Sequence, residues 1–199
     1  MNKLIARVAG VAVALAATLV VSAQTANANY APAPGWMSPA YVAPTGTICF
    51  QTGGSTFLGP AIAAAAAAWN QSDLTVVAKA SCAGYPRRNQ IRFVAYYDSA
   101  TSGGYVKACA VYSAGKWSWA QVRGVWTWVG ETPTVRMNYT PLAMKQCHAT
   151  TKQRTTTVSH ETGHYFGLDH RTGITVMTAR MSSYSIATYG DKLLINRRY

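Results

Sequence analysis

Apolar and polar positions along this chain recur with two periods, that of an α-helix and that of a β-strand. After Pro60, a residue that favours the first turn of a helix, apolar residues recur every three or four positions. This apolar stripe consists of Ile62, Ala65, Ala66 and Trp69. Because none of these side chains carries a reactive group, we expect the stripe to pack the helix against a sheet.

β-rich runs between turn-forming residues predict the strands of that sheet. Four runs are well delimited, at 47–51, 74–78, 91–97 and Thr134–Asn138. The runs 105–112 and 122–129 also fit strands. Tryptophans spaced by two place aromatic faces in this region, for which core or hairpin packing is favoured over contact with substrate or carbohydrate. They are Trp117, Trp119, Trp126 and Trp128.

Two capping signals predict two further helices. Thr150 and Gln153 fit a capping box, so a helix is expected from about residue 151 to residue 166. Thr188 and Asp191 give the same kind of signal before a short C-terminal helix. Together the patterns predict an α+β fold, with a mixed sheet that carries three helices.

The first residues have the pattern of a secretory signal peptide. Lys3 and Arg7 give a positive start, residues 8–21 are almost wholly apolar, and small residues follow up to Ala28. Cleavage is expected after Ala28, with Ala23 as an earlier alternative. The apolar run is shorter than the roughly twenty residues that span a bilayer, so a membrane anchor is disfavoured.

The pattern therefore divides the chain into a signal peptide at 1–28, an extended arm rich in proline and alanine at 29–46, and one domain at 47–199. The formal net charge is +12, and removal of the signal peptide would take away the positive charges of Lys3 and Arg7. Basic residues are scattered and the protein is expected to be exported, so nucleic acid is excluded as a partner. A secreted monomer is the prediction. Weak attraction to anionic cell-envelope polymers is a hypothesis for the basic surface, over which a merely solvated surface is favoured.

The four cysteines predict two disulfides, because their number is even and export leads to an oxidising compartment. They are Cys49, Cys82, Cys109 and Cys147. Three pairings are possible, and no C-x-x-C spacing suggests a metal knuckle. We favour the nearest-neighbour closures, Cys49 with Cys82 and Cys109 with Cys147.

The candidate chemistry lies in residues 160–170, which read H-E-T-G-H-Y-F-G-L-D-H. On a helix, His160 and His164 lie one turn apart on the same face, where both imidazoles can reach one metal ion. Glu161 points to one side of this pair, suitably placed to accept a proton from water. Gly167 allows the chain to turn back, so that His170 supplies a third ligand. Ordinary buried histidines are the alternative, but three of only four histidines fall at these positions.

These eleven residues resemble H-E-x-x-H-x-x-G-x-x-H, the signature of the metzincin zinc proteases. Within that clan they are most similar to the matrixins and their small secreted bacterial relatives. The resemblance implies a mostly parallel, twisted sheet with an antiparallel edge strand. It also implies an active-site helix that ends at a glycine turn, a methionine turn beneath the metal, and a C-terminal helix. Met177 is favoured for the methionine turn over Met181, because its separation from His170 is nearer the matrixin pattern. The few, widely spaced carboxylates disfavour the calcium sites and second zinc of larger matrixins.

The resemblance further implies a secreted endopeptidase with one Zn²⁺, held by His160, His164 and His170, with Glu161 as general base and a peptide or protein substrate. Such enzymes hold an extended substrate on the edge strand of the sheet, and either of the runs 105–112 and 122–129 would serve as that strand. Arg171 departs from the small residue that matrixins usually carry there, which leaves the specificity pocket open. The alternatives are an inactive binding or inhibitory protein on the same scaffold and a zinc amidase that acts on cell-wall peptides.

Overall fold

The computed structural model describes residues 46–70, 74–113, 117–122, 125–179 and 186–196. The predicted signal peptide, and all of the predicted arm except Gly46, lie outside this part of the chain. The strands are β1 Ile48–Gln51, β2 Val76–Lys79, β3 Gln90–Tyr96, β4 Thr101–Ser102, β5 Tyr105–Val106, β6 Ala110–Ser113, β7 Trp117–Val122, β8 Val125–Gly130 and β9 Thr134–Asn138. The helices are α1 Gly59–Trp69, α2 Pro141–Cys147, α3 Thr151–Tyr165 and α4 Tyr189–Asn196, with a 3-10 turn at Arg87–Asn89.

Five strands form the main sheet, in the order β2-β1-β3-β9-β6. All neighbours in it are parallel except β6, which runs antiparallel to β9. The predicted mixed, mostly parallel sheet with an antiparallel edge strand is therefore confirmed. Of the two runs that were candidates for this edge, the structure places part of the first, β6, at the edge beside β9.

Helices α1 and α3 share a buried core with the sheet. The predicted stripe of α1 is buried, and Trp69 at its end is fully enclosed. The indole N–H of Trp69 donates to the hydroxyl of Thr162 on α3 at 2.8 Å. Further along α3, the hydroxyl of Tyr165 donates to the backbone carbonyl of Arg88 at 2.7 Å. The first hydrogen bond is buried and the second partly buried, and together they hold α3 against α1 and the 3-10 turn.

Both predicted capping boxes are present. At α3, the hydroxyl of Thr150 accepts from the backbone N–H of Gln153, and the side chain of Gln153 accepts from the N–H of Thr150. At α4, the carboxylate of Asp191 accepts from the N–H of Thr188, whose hydroxyl accepts from the N–H of Asp191. The boundaries predicted for α3 are thus correct to within one residue at its end.

The prediction of three helices is wrong, because the described residues contain four α-helices. The additional helix is α2, in a stretch that was predicted to be only a connection. Its local signal is Thr140 followed by Pro141, an N-cap residue and a proline in the first turn. The hydroxyl of Thr140 accepts from the N–H of Ala143 at 3.4 Å.

The two uncertain strand runs are also corrected. The run 105–112 is broken between β5 and β6, because the N–H of Val106 donates to the side chain of Gln146 and that of Lys107 turns back to Ala100. The run 122–129 is divided between two strands, because β7 ends at Val122 and β8 begins at Val125, and these two strands pair antiparallel with each other. In the run 105–112, contacts with residues distant in the sequence decide where the strands end.

The structure contains both disulfides with the favoured pairing, Cys49–Cys82 and Cys109–Cys147. The first joins β1 to the loop after β2. The second joins the residue before β6 to the last residue of α2, and so fixes the edge strand to the segment that leads into α3. No helix in the described part of the chain is both long and apolar enough to cross a membrane.

His148, in the connection between α2 and α3, generates a test of this part of the fold. Its side chain is 1% exposed, and its Nε2 lies 3.1 Å from the carbonyl oxygen of Cys109. Burial lowers the pKa of His148 below its ordinary value of 6.5. As the pH falls through about 6.5, the unfolded chain therefore takes up a proton that the folded protein resists, and the free energy of unfolding falls.

We expect the His148→Gln variant to lose this part of the pH dependence. Between pH 7.5 and pH 5.5, the free energy of unfolding of the parent should fall more steeply than that of the variant, by at most about 1.4 kcal/mol per pH unit. Urea unfolding at several pH values measures both curves, and their difference removes the contributions of the other histidines. Parallel curves would contradict the role given to His148.

Candidate metal centre

Three histidines meet at the end of α3. The helix presents His160 and His164 one turn apart, and Gly167, with a φ of 84°, reverses the chain directly after it. A 3.0 Å hydrogen bond from the N–H of Leu168 to the carbonyl of Gly163 closes this turn. His170 thereby returns to the first two, and one ring nitrogen from each of the three lies within 4.8 Å of the others.

Backbone carbonyls orient two of the rings. The Nδ1–H of His160 donates to the carbonyl of Val176 at 2.9 Å, and that of His164 donates to the carbonyl of Leu168 at 2.7 Å. Their Nε2 atoms therefore carry the lone pairs that a metal requires. Burial lowers the pKa of His160 to about 4 and also lowers the pKa of His164, so both rings favour the neutral form.

The geometry of the triad fits a transition-metal ion. The Nε2 atoms of His160 and His170 are 3.0 Å apart. Two nitrogens at about 2.0–2.1 Å from a tetrahedral zinc ion lie roughly 3.3 Å from each other, so a small adjustment suffices. Among the described residues, the fourth histidine, His148, is not part of this group.

Glu161 lies beside the triad and is almost enclosed, with 8% of its surface exposed. Burial raises the pKa of Glu161 to about 7, and a hydrogen bond from the backbone N–H of Tyr112 on β6 partly opposes this rise. A cation held by the imidazoles would lower the pKa again by favouring the charged carboxylate. The site thus combines three converging imidazoles with one almost fully buried carboxyl group.

Met177 lies under α3, against the residue between the two helical histidines. Its side chain is fully buried. A Cβ atom at Gly163 would overlap its Sδ and lie 3.1 Å from its Cε. Glycine at position 163 therefore allows Met177 to approach the helix closely. Met181, the competing candidate for the methionine turn, lies outside the described residues. That Met177 forms the methionine turn of a metal site stays a prediction.

The carboxylate of Asp191, at the start of α4, holds the segment that follows the third histidine. It is fully buried and forms an ion pair with Arg171. It also accepts from the hydroxyl of Thr175 at 2.5 Å, from the N–H of Val176 at 3.0 Å, and from the N–H of Thr188 at 2.9 Å. Burial alone would raise its pKa, but these hydrogen bonds hold the pKa of Asp191 below its ordinary value.

This network was not predicted as part of the site. Asp191 was recognised only as a helix cap, and Arg171 only as a departure from the matrixin pattern. The sequence signal that could have indicated the network is Arg171, directly after His170, because a partly buried arginine beside the site requires an acidic partner. Contacts made by the backbone groups of Val176, Leu168 and Tyr112 could not be predicted, because they do not depend on the type of residue.

Comparisons with protein-family models, with curated proteins and with solved structures gave no match to this chain.

The close approach of Met177 to α3 predicts the effect of a single methyl group. Alanine is favoured over glycine inside a helix by about 1 kcal/mol. In Gly163→Ala, however, the new Cβ would overlap Met177 and lie 3.4 Å from the indole of Trp69, and overpacking of this kind costs about 1–3 kcal/mol. We therefore expect a net loss of unfolding free energy, measured by urea denaturation.

The matched control is Gly59→Ala, at the start of α1, where an added Cβ would have no neighbour within 4 Å. This variant should be as stable as the parent or more stable. The double variant Gly163→Ala with Met177→Ala should lose less than the sum of the two single losses, because the overlap disappears. If Gly163→Ala were as stable as Gly59→Ala, Met177 would not be packed against the helix as described.

Proposed function

We propose that the protein is a secreted zinc endopeptidase of the metzincin type, with His160, His164 and His170 as metal ligands and Glu161 as general base. The observation that carries the proposal is the convergence of three imidazole nitrogens within 4.8 Å beside the buried carboxyl group of Glu161. Three protein ligands with a further position open are typical of catalytic rather than structural zinc sites. The two disulfides support export to an oxidising compartment.

A zinc ion bound by the triad would polarise a substrate carbonyl and lower the pKa of a water molecule to about 7. Glu161 follows His160 directly, so its carboxylate is held beside the ligand set by the same helical turn. In the proposed reaction it accepts a proton from water and passes it to the amine that leaves when the peptide bond breaks. Its burial keeps bulk water from competing for that proton.

The edge strand β6 supports a peptide as the substrate. It is the last strand of the main sheet and contacts Glu161 through the backbone of Tyr112. An extended chain can add to such an edge by backbone hydrogen bonds, which suit peptides of many sequences. The scissile bond of a peptide on β6 would then lie near the carboxyl group that transfers the proton.

The Glu161→Ala variant tests the proposal. Both the parent and the variant should bind one zinc ion per chain, but the variant should hydrolyse casein with a kcat reduced about 10²- to 10⁴-fold, because proton transfer is lost. Glu131→Ala removes an exposed carboxylate that does not belong to the histidine group, and this variant should cleave like the parent. Zinc content and casein hydrolysis, with and without a chelator, are the measurements.

Three results would overturn the proposal in distinguishable ways. Cleavage by Glu161→Ala at the parent rate would remove the general base. Activity on purified peptidoglycan but not on casein would indicate the amidase. A protein that binds zinc and hydrolyses neither substrate would be a binding protein on this scaffold.

A further inference from the structure

The register of β6 decides which of its backbone groups face away from the sheet. The N–H of Asn138 on β9 donates to the carbonyl of Cys109 at 2.9 Å, and Ala110 lies opposite Met137. In an antiparallel pair, residues alternate between bonding the partner strand and pointing away from it. The backbone groups of Val111 therefore face β9, and those of Ala110 and Tyr112 face the outer edge.

The N–H of Tyr112 points away from β9, and its partner at the outer edge is Glu161, whose carboxylate accepts its hydrogen bond. The side chain of Tyr112 packs edge-on against Tyr165 of α3, with ring centroids 6.5 Å apart. The Cys109–Cys147 disulfide fixes the start of β6 close to the segment that enters α3. Strand and helix are thus held together on both sides of this hydrogen bond.

We propose that the backbone N–H of Tyr112 is a positioning group that holds the Glu161 carboxylate, and that it does not pair with substrate. An extended peptide would then bond to β6 through Ala110 and through the carbonyl of Tyr112. Because the Tyr112 N–H is already bonded to Glu161, the peptide can align with β6 only in a register that does not require this N–H. This inference rests on the proposed function for its catalytic meaning, but the hydrogen bond itself is a property of the chain without metal.

Amide hydrogen exchange in the metal-free protein tests the bond without any turnover. Because the Tyr112 N–H lies outside the strand ladder, its protection depends on Glu161. In Glu161→Ala its exchange should become at least about fivefold faster, whereas Glu161→Gln, which keeps an oxygen acceptor, should retain most of the protection. The amide of Val111, which bonds β9, is the internal control and should change little. Equal exchange of the Tyr112 amide in the parent and in Glu161→Ala would overturn the proposal.

Replacing Tyr112 by its α-hydroxy acid tests the catalytic role, because it exchanges the N–H for an oxygen and keeps the side chain. With zinc bound, kcat should fall roughly tenfold to a hundredfold as Glu161 loses its fixed position, while KM changes less than about twofold. The same exchange at Ala110 perturbs β6 to a similar extent, and there we expect KM to rise and kcat to stay within about twofold.

A raised KM with unchanged kcat in the Tyr112 variant would show that this amide binds substrate. It would overturn the role given to the Tyr112 N–H but not the proposed function. A parent protein that hydrolyses no peptide would instead refute the proposed function. The two failures are distinguishable, because the exchange measurement requires neither metal nor substrate.

Discussion

Two hydrogen bonds from imidazole to backbone carbonyl hold the candidate site in shape, and the bond from His160 to Val176 is the one on which most of the structure depends. It requires α3 and the segment at 171–177 to lie side by side, and it leaves Nε2 of His160 free of a proton. Val176 is held in turn by the buried carboxylate of Asp191, which also binds Arg171 next to the third histidine. The loop at 171–177 and the final helix α4 thereby help to fix the orientation of the His160 ring on α3. Removing one partner of a buried ion pair usually costs several kcal/mol, so such a network favours a single arrangement.

The residues between the three histidines hold α3 in the core. Thr162 accepts the hydrogen bond of Trp69, and Gly163 permits the close approach of Met177. Tyr165 and Phe166 are fully buried. The same eleven residues therefore supply side chains that pack in the core and three histidines that converge on the candidate metal position. Because the residues between the histidines pack in the core, a change in the positions of the histidines would also require the core to repack.

Local patterns were enough to predict the elements whose signals lie within a few residues. The apolar stripe of α1, the caps of α3 and α4, and the glycine reversal after α3 depend on spacing alone, and the structure contains each of them. The sequence-based prediction was wrong or incomplete where contacts between residues distant in the sequence determine the structure. The run 105–112 breaks because Val106 bonds Gln146, forty residues away. Asp191 enters the site for the same reason, since nothing near it in sequence shows that Val176 would lie against it. The N-cap at Thr140 was a local signal for α2, but a helix of seven residues carries too short a pattern to stand out.

The central claim is that three imidazoles of one chain bind a single zinc ion. X-ray absorption at the zinc edge, on protein loaded with one equivalent of zinc, tests it most directly. The account predicts four light scatterers at about 2.0–2.1 Å, with the outer-shell scattering of three imidazole rings, and the loss of one ring in His170→Ala. A first shell containing sulfur, a six-oxygen shell, or a spectrum unchanged in His170→Ala would contradict the account.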